Sequence, residues 1–515
     1  MAVRASPQRF SRAPDNEYPR DPTPVSRVPG WTVRAALALK QVLAALVLSQ
    51  ANVVFGVMVA YGSLFVSSSD TGEYRHWRTQ DVTWVLSAPS VGSAAGCLLA
   101  APLTNRFGAL WVIVGSSALS LASWGALCFG NTVTVLVIGR IFSGIFVGLN
   151  IGNSRLYIAE VCSERLRGVL CHLPAVSISA SFLGCLCLAG VVPWHWAVLG
   201  CGCVPTVIHL TGALLLPQSA RWLLASGGSK AEAERSIAFY RGHDHDIAAE
   251  VRAIEKALGG AAHATTLAHQ ARRLATEWDC AKPVLLLCGQ FVFDAFCGGM
   301  IMTQFAPMIF RRAAPQLDPN TCTIYLAAAQ LAALCASGLL VRRVGRRVVL
   351  MAAGAGGAAG YVLVAASLLI PSLGAYNWVP LVGVLAANAC AQAGITPVSF
   401  LYLSELIPGG VRPLLGNCFT IYISAMNMAS VHLFPLATAA LGTHGVFLAV
   451  AGLCAAQLLY ALLLLPETKD LTLEEVHNRH FSSRRRWGRK PDTEALQDKR
   501  MTDCLSISSA DELVA

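Results

Sequence analysis

The sequence predicts an all-α membrane protein of about twelve transmembrane helices in two six-helix bundles. Three observations carry that expectation: an apolar composition, apolar runs of membrane-crossing length, and a polar segment that divides those runs six and six. Of 515 residues, 55% are hydrophobic and only 13% are charged, against roughly 25% charged in a soluble domain. Mean hydropathy is +0.54. The runs are about 20 residues long, the length at which a helix crosses a hydrocarbon core of about 30 Å. That length selects helices over a β-barrel.

Residues 1–36 are polar and rich in Pro and Arg, with no apolar stretch followed by a cleavage site. They are expected to form a disordered tail and not a signal peptide. Spans follow at 37–64, 84–103, 109–130, 133–153, 169–191 and 196–216, giving a first bundle over 37–216. The polar segment 217–282 is expected to be a helical linker. Ser229 and Glu232 can form a capping box before AEAERSIAFYRG, and Gly242 can end that helix. Spans at 284–307, 323–341, 348–370, 378–402, 415–437 and 444–465 make a second bundle over 283–465, and 466–515 is a second tail.

An even number of spans puts both termini on one side, and the basic residues choose which. Of 39 Lys and Arg, Lys40 and Arg140 fall inside spans, and only Arg75, Arg78, Arg311 and Arg312 fall in loops on the far side. Both tails and the linker are therefore expected in the cytoplasm, with the plasma membrane as the default location. The net charge of +10 reflects this bias together with Arg484–Arg486, Arg489 and Lys490, a cluster suited to anionic lipid at the bilayer surface. No nucleic-acid partner is expected. Most of the 17 cysteines lie in apolar runs, as Cys185, Cys187, Cys201 and Cys203 do, and buried cysteine acts as a small hydrophobe.

The two halves repeat each other on the linker side. Tyr157, Glu160 and Arg167 follow span four with the gaps at which Tyr402, Glu405 and Arg412 follow span ten. Arg106-Phe107-Gly108 after span two answers Arg343-Val344-Gly345-Arg346-Arg347 after span eight. Pro217 with Arg221 answers Pro466 with Lys469. Three matches in register are the trace expected of transporters built from duplicated bundles. Carboxylates and arginines at helix ends can pair across neighbouring helices and bias one of two conformations, so Glu160, Arg167, Arg221, Arg346, Glu405, Arg412 and Glu467 are candidate gating residues.

These motifs resemble the sugar porter family of the major facilitator superfamily over roughly 37–480. The residues that carry the resemblance are Gly139-Arg140, Tyr157-Ile158-Ala159-Glu160 with Arg167-Gly168, PQSARWLLASGG at 217–228, Arg343 to Arg347, Ser404-Glu405 with Pro408 and Arg412, and PETKDLTLEEV at 466–476. The arrangement is similar to arthropod trehalose and hexose facilitators and to vertebrate glucose transporters. The resemblance implies the major facilitator fold, a central site from spans five, seven, eight, ten and eleven, and hexoses or disaccharides as typical substrates.

The chain departs from that family where the family recognises sugar. Positions of family glutamines fall on Ala175, Asp294 and Ala295, a family Asn falls on Met300, and a Gly-Pro-x-Pro-Trp stretch becomes Thr396-Pro397-Val398-Ser399-Phe400. Gln330 alone keeps an amide. The loop after span two carries Asn105 and Ala109 in place of the family's acid and second base, Arg342 replaces the acid after span eight, and Arg155 replaces a proline. The candidate substrate-binding residues are Asp294, Gln330, Phe400, Ala175 and Met300, and Arg140 is an intramembrane charge expected to face the bundle interior.

The function so implied is secondary transport of a small polar solute, a sugar above all, by alternating access. Asp294, near the bilayer midplane, opens the alternative of a proton-coupled or organic cation carrier. The eroded motifs open a second, a non-transporting membrane sensor. Enzymatic chemistry is not expected: no G-x-x-x-x-G-K-[ST] cradle occurs, no ligand cluster has metal spacing, and no nucleophile has a base beside it. Neither a cofactor nor a metal is expected. His209 and His432 lie in spans, where a lone histidine is more often a satisfied hydrogen-bonder than a relay.

Overall fold

The computed structural model describes residues 31–481, apart from 72–75, 243–245, 298, 408–411 and parts of 164–172, 262–277, 371–377 and 470–480. The first half contains α1 (Trp31–Thr71), α2 (Thr79–Phe107), α3 (Ala109–Phe129), α4 (Val133–Val161), α5 (Leu173–Ala189) and α6 (Trp194–Leu215). Linker helices α7 (Ala220–Ala225), α8 (Lys230–Arg241) and α9 (Ile247–Ala261) follow. The second half contains α10 (Trp278–Phe296), α11 (Gly299–Ala313), α12 (Pro319–Val344), α13 (Arg346–Leu369), α14 (Trp378–Cys390), α15 (Thr396–Leu406) and α16 (Arg412–Leu463). Span seven is the broken pair α10 and α11. Span ten is α14 and α15 joined by a π segment at Ala391–Ile395, and α16 holds spans eleven and twelve around Gly442 at φ 71°. The chain thus crosses twelve times, and no strand occurs among the described residues.

Helix ends extend past the expected boundaries. Span four runs to Val161, so Tyr157 and Glu160 occupy its last turns and not a following loop. Tyr402 and Glu405 likewise lie inside α15, and Arg311 and Arg312 close α11. A polar side chain marks where the hydrocarbon ends, whereas the backbone ladder continues until a cap stops it. Ser229 precedes α8 as its N-cap but makes no side-chain cap hydrogen bond, so the expected box is absent. Gly242 ends that helix at φ 83°.

Glycine sets the closest packing. Gly92 and Gly96 of α2 face Gly144 and Gly148 of α4 so tightly that a Cβ at any of them would overlap backbone of the opposite helix, such as the Ile141 or Ser93 carbonyl. This is small-xxx-small packing on both partners, which lets backbones approach where lipid gives no hydrophobic drive. The halves meet where α1 faces α11, α5 faces α12 and α2 faces α16. One apolar cluster containing Phe65, Trp124, Phe146, Phe310 and Tyr361 runs through both. Leu98, Trp111, Trp196, Leu215, Trp278 and Trp378 stay exposed, as a lipid-facing surface with tryptophans at helix ends requires.

Candidate functional site

Polar residues of the second half meet where span seven bends at Cys297 and span ten carries its π segment. Asp294 lies one turn before α10 stops at Cys297, and its Oδ1 accepts a hydrogen bond from Thr396 Oγ1 at 2.7 Å. Thr396 is the first residue after the π segment. One turn towards the linker face, Gln290 Nε2 donates to Ser399 Oγ at 3.0 Å, so α10 and α15 are cross-linked twice. A Cβ placed on Gly299 would stand 4.0 Å from both Gln392 Nε2 and Thr396 Oγ1. Asp294, Gln392, Thr396 and the start of α11 therefore meet at one half-buried place. A change of helix direction at bilayer depth is where solute and ion sites of membrane carriers are commonly built.

Gln330 lies next to this site but spends its donors within the half. The residue is 4% exposed, and its amide nitrogen donates to Thr303 Oγ1 at 2.6 Å and Asn388 Oδ1 at 2.9 Å. Only the carbonyl oxygen is left for a solute. Phe400 is 42% exposed and meets Phe291 edge to face at 5.5 Å, an aromatic wall beside the Gln290 and Asp294 turns. Met300 packs on the central apolar cluster, and Ala175 is a half-buried position in α5 that offers no polar atom. Thr303, Asn388 and Gln392 were not singled out from the sequence. The Gly298-Gly299 pair just after Asp294 is the signal that would have exposed the helix break.

Arg140 is 1% exposed and points into the first half, where its Nε donates to Val85 O at 3.1 Å and its Nη1 to Met58 O at 2.8 Å. The guanidinium also sits over the Tyr61 ring at 5.0 Å. Arg140 and Asp294, the two intramembrane charges, do not pair with each other. The planar fork fits two carbonyls on different helices, α1 and α2, which Lys could not hold at once.

On the linker face the repeated motifs build two related braces. In the second half Glu405 Oε1 accepts from Arg346 Nη2 at 2.9 Å and its Oε2 from Thr468 Oγ1 at 2.5 Å. Glu467 accepts the backbone N–H groups of Arg346 and Arg347, both at 3.1 Å, and so neutralises the positive end of α13. Tyr402 Oη donates to Pro466 O at 2.8 Å. Three segments are tied together, all within one half. The first half repeats the scheme with fewer charges. Tyr157 Oη donates to Pro217 O, Gln218 stands against Gly108 as Glu467 stands against Gly345, and Glu160 bonds Ser219 with Arg221 nearby. Ala109 occupies the position of Arg346, so this brace lacks the half-buried arginine of the other, and Arg221 is exposed. Arg167 lies outside the described residues, and Arg412 is described only as the residue that opens α16.

Among the described residues no three His, Cys, Asp or Glu side chains converge as metal ligands would. Comparison with known proteins bears on the fold and the family. The model of a family described as sugar (and other) transporter matches residues 42–480. A facilitated trehalose transporter of Polypedilum vanderplanki is 23% identical over 465 residues, covering 87% of this chain and 89% of that protein. A sugar transporter ERD6-like protein of Arabidopsis thaliana is 26% identical over 404 residues, covering 76% and 81%. The inward-open xylose transporter XylE of E. coli superposes with TM-score 0.69 at 20% identity, covering 85% of this chain and 99% of that one. The proton:xylose symporter XylE bound to 6-bromo-6-deoxy-D-glucose gives 0.66 at 21% identity, covering 86% and 99%. These likenesses establish the twelve-helix major facilitator fold.

Proposed function

Because the chain belongs to the sugar (and other) transporter family, we propose that it moves a small polyhydroxylated solute across a membrane by alternating access between its two halves. The face that carries α7–α9 is taken as cytoplasmic and the membrane as the plasma membrane, in keeping with the basic residues on the linker side. The observation that carries the proposal is the polar site at the bend of span seven and the π segment of span ten. It supplies a carboxylate, a hydroxyl and amides beside an aromatic wall at bilayer depth, with Asp294, Gln330 and Phe400 as substrate contacts and Ala175 and Met300 as shape-setting neighbours. The braces around Glu160 and Glu405 hold each half rigid while the halves rock.

Asp294 favours a second version of the same function, in which the carboxylate takes a proton or a cationic group of the solute. No described base pairs with it, and a carboxylate at that depth calls for a counter-charge or a proton. Uptake of radiolabelled trehalose, glucose, xylose and an organic amine into proteoliposomes, with and without a pH gradient, separates the versions. Sugar uptake indifferent to the gradient supports a facilitator, and gradient-driven uptake supports proton coupling. Saturable binding with no uptake of any compound rejects transport and leaves a sensor.

A further inference from the structure

A second cavity, separate from the central site, lies at the linker-face end of the second half. It encloses about 510 Å³, within the range of about 300–1,000 Å³ typical of small-molecule sites. Its walls come from the start of α10, the start of α13, the end of α16 and the segment that follows it. Four cations line it, Lys282, Arg347, Lys469 and Arg479, against one carboxylate, Glu467. That carboxylate is turned onto backbone: its Oε1 accepts from the N–H groups of Arg346, Thr468 and Lys469, and its Oε2 from that of Arg347. The described lining therefore carries an excess of positive charge.

Neutral groups hold these cations in place. Arg347 Nε donates to Ala461 O at 3.0 Å and its Nη2 to Leu462 O, Lys469 Nζ donates to Arg343 O at 2.9 Å, and Lys282 Nζ stands over the Phe481 ring at 5.5 Å. Arg343 lies in the last turn of α12, and Ala461 and Leu462 lie in that of α16. Carbonyls at helix C-termini thus fix both side chains without cancelling their charge. Among the described residues no carboxylate forms an ion pair with Arg347, Lys469 or Arg479. A guanidinium and ammonium groups converging on one concavity suit the oxygens of a phosphate. The rim is apolar: Leu463 and Leu464, which end the last span, line the same cavity and are 74% and 55% exposed. Basic pockets beside membrane helices at the bilayer surface bind lipid headgroups, and the leucines give acyl chains a surface that a soluble phosphate would not use.

We propose that this cavity binds an anionic glycerophospholipid of the surrounding membrane, with its phosphate among Arg347, Lys469 and Arg479 and its acyl chains against Leu463 and Leu464. The bound headgroup joins α13 to the segment after α16, the same two parts that Glu467 connects. The site goes beyond the transport proposal and does not depend on it.

Native mass spectrometry of the full chain in detergent, titrated with dioleoyl phosphatidic acid, dioleoyl phosphatidylcholine or glycerol phosphate, tests it. Phosphatidic acid should bind saturably with one high-affinity molecule per chain, and at least about tenfold more tightly than either other probe. Lys469→Gln and Arg479→Gln should each weaken that binding about fivefold, the scale of one basic residue at an anionic membrane surface, and together about 25-fold. Lys469→Arg with Arg479→Lys keeps both charges and should bind within about twofold of wild type. Lys230→Gln with Lys256→Gln removes two exposed charges from linker helices α8 and α9 and should leave binding unchanged. Equal affinity for phosphatidylcholine, or glycerol phosphate binding as tightly as the lipid, overturns the proposal. So does an unaltered affinity in the cavity double variant, or an equal loss in the linker double variant.

Discussion

Replacing Glu405 with Gln is expected to lower the maximal transport rate by roughly 5- to 30-fold while leaving the apparent affinity for solute within about threefold. The carboxylate accepts from Arg346 Nη2 at 2.9 Å and Thr468 Oγ1 at 2.5 Å, with the ion-pair side chains 20% and 15% exposed. A hydrogen bond to a charged group contributes about 1.5–3 kcal/mol. Gln keeps one acceptor for Thr468, and partial exposure screens the lost charge, so about 1–2 kcal/mol remains, a factor of 5 to 30. The effect falls on rate because the brace stands at the linker face and not at the central site. Glu160→Gln is the internal control. Without an arginine at Ala109 its loss should be only about two- to threefold on the same scale. Initial-rate uptake in proteoliposomes, normalised to reconstituted protein, measures both. Unchanged rates in Glu405→Gln, or a loss expressed mainly in affinity, would refute the brace as a conformational element.

Asp294→Asn keeps the side chain's shape and its bond to Thr396 while removing the charge. If the carboxylate carries a proton or receives an amine, the variant should lose pH dependence or uptake of the organic amine, whereas an unchanged pH profile and solute range would return the site to neutral sugar recognition. Gly148→Val drives a side chain into the α2 backbone at Ser93 O and Cys97 N, so folded yield by fluorescence-detected size exclusion should fall at least severalfold. A monodisperse variant at wild-type yield would contradict the close approach of α2 and α4. Tyr240 has its hydroxyl pushed up to about 12 by burial, above the ordinary value near 10. Its contribution to linker docking should therefore be complete below about pH 10 and disappear as pH rises through about 12, which limited proteolysis of the linker against pH would detect. Tyr240→Phe should remove the hydroxyl absorbance change without releasing the linker.

Span number, the division into halves and the repeated Tyr–Glu spacing were legible because each is a pattern of residue type along the chain. Tyr157 with Pro217 and Tyr402 with Pro466 show that the repeat has a common physical content: one hydroxyl fastens the start of the segment after the sixth span of its half. Ends were less legible. Tyr157 and Glu160 look like loop residues to a hydropathy window, yet the helix carries them. The bend at Cys297 and the π segment at Ala391–Ile395 were not foreseen: the Gly298-Gly299 pair marks the first, but nothing in the apolar run marks where hydrogen bonding shifts to the π register. Gln330 carried the right chemistry, but the sequence could not show that Thr303 and Asn388 already occupy its amide. Arg140 faces inward, and its carbonyl partners on α1 and α2 depend on tertiary packing that no local motif encodes.

Counterflow tests the central claim most directly. Proteoliposomes preloaded with a high concentration of unlabelled trehalose or glucose are diluted into trace radiolabelled solute. A carrier that exposes one site alternately to each side exchanges solute faster than it returns empty. Label inside should then rise transiently above its equilibrium level and decay as the gradient dissipates. An overshoot that appears with wild type and shrinks in Glu405→Gln is the predicted result. Label that enters without overshoot and without saturation, or that never enters although it binds, would contradict alternating access.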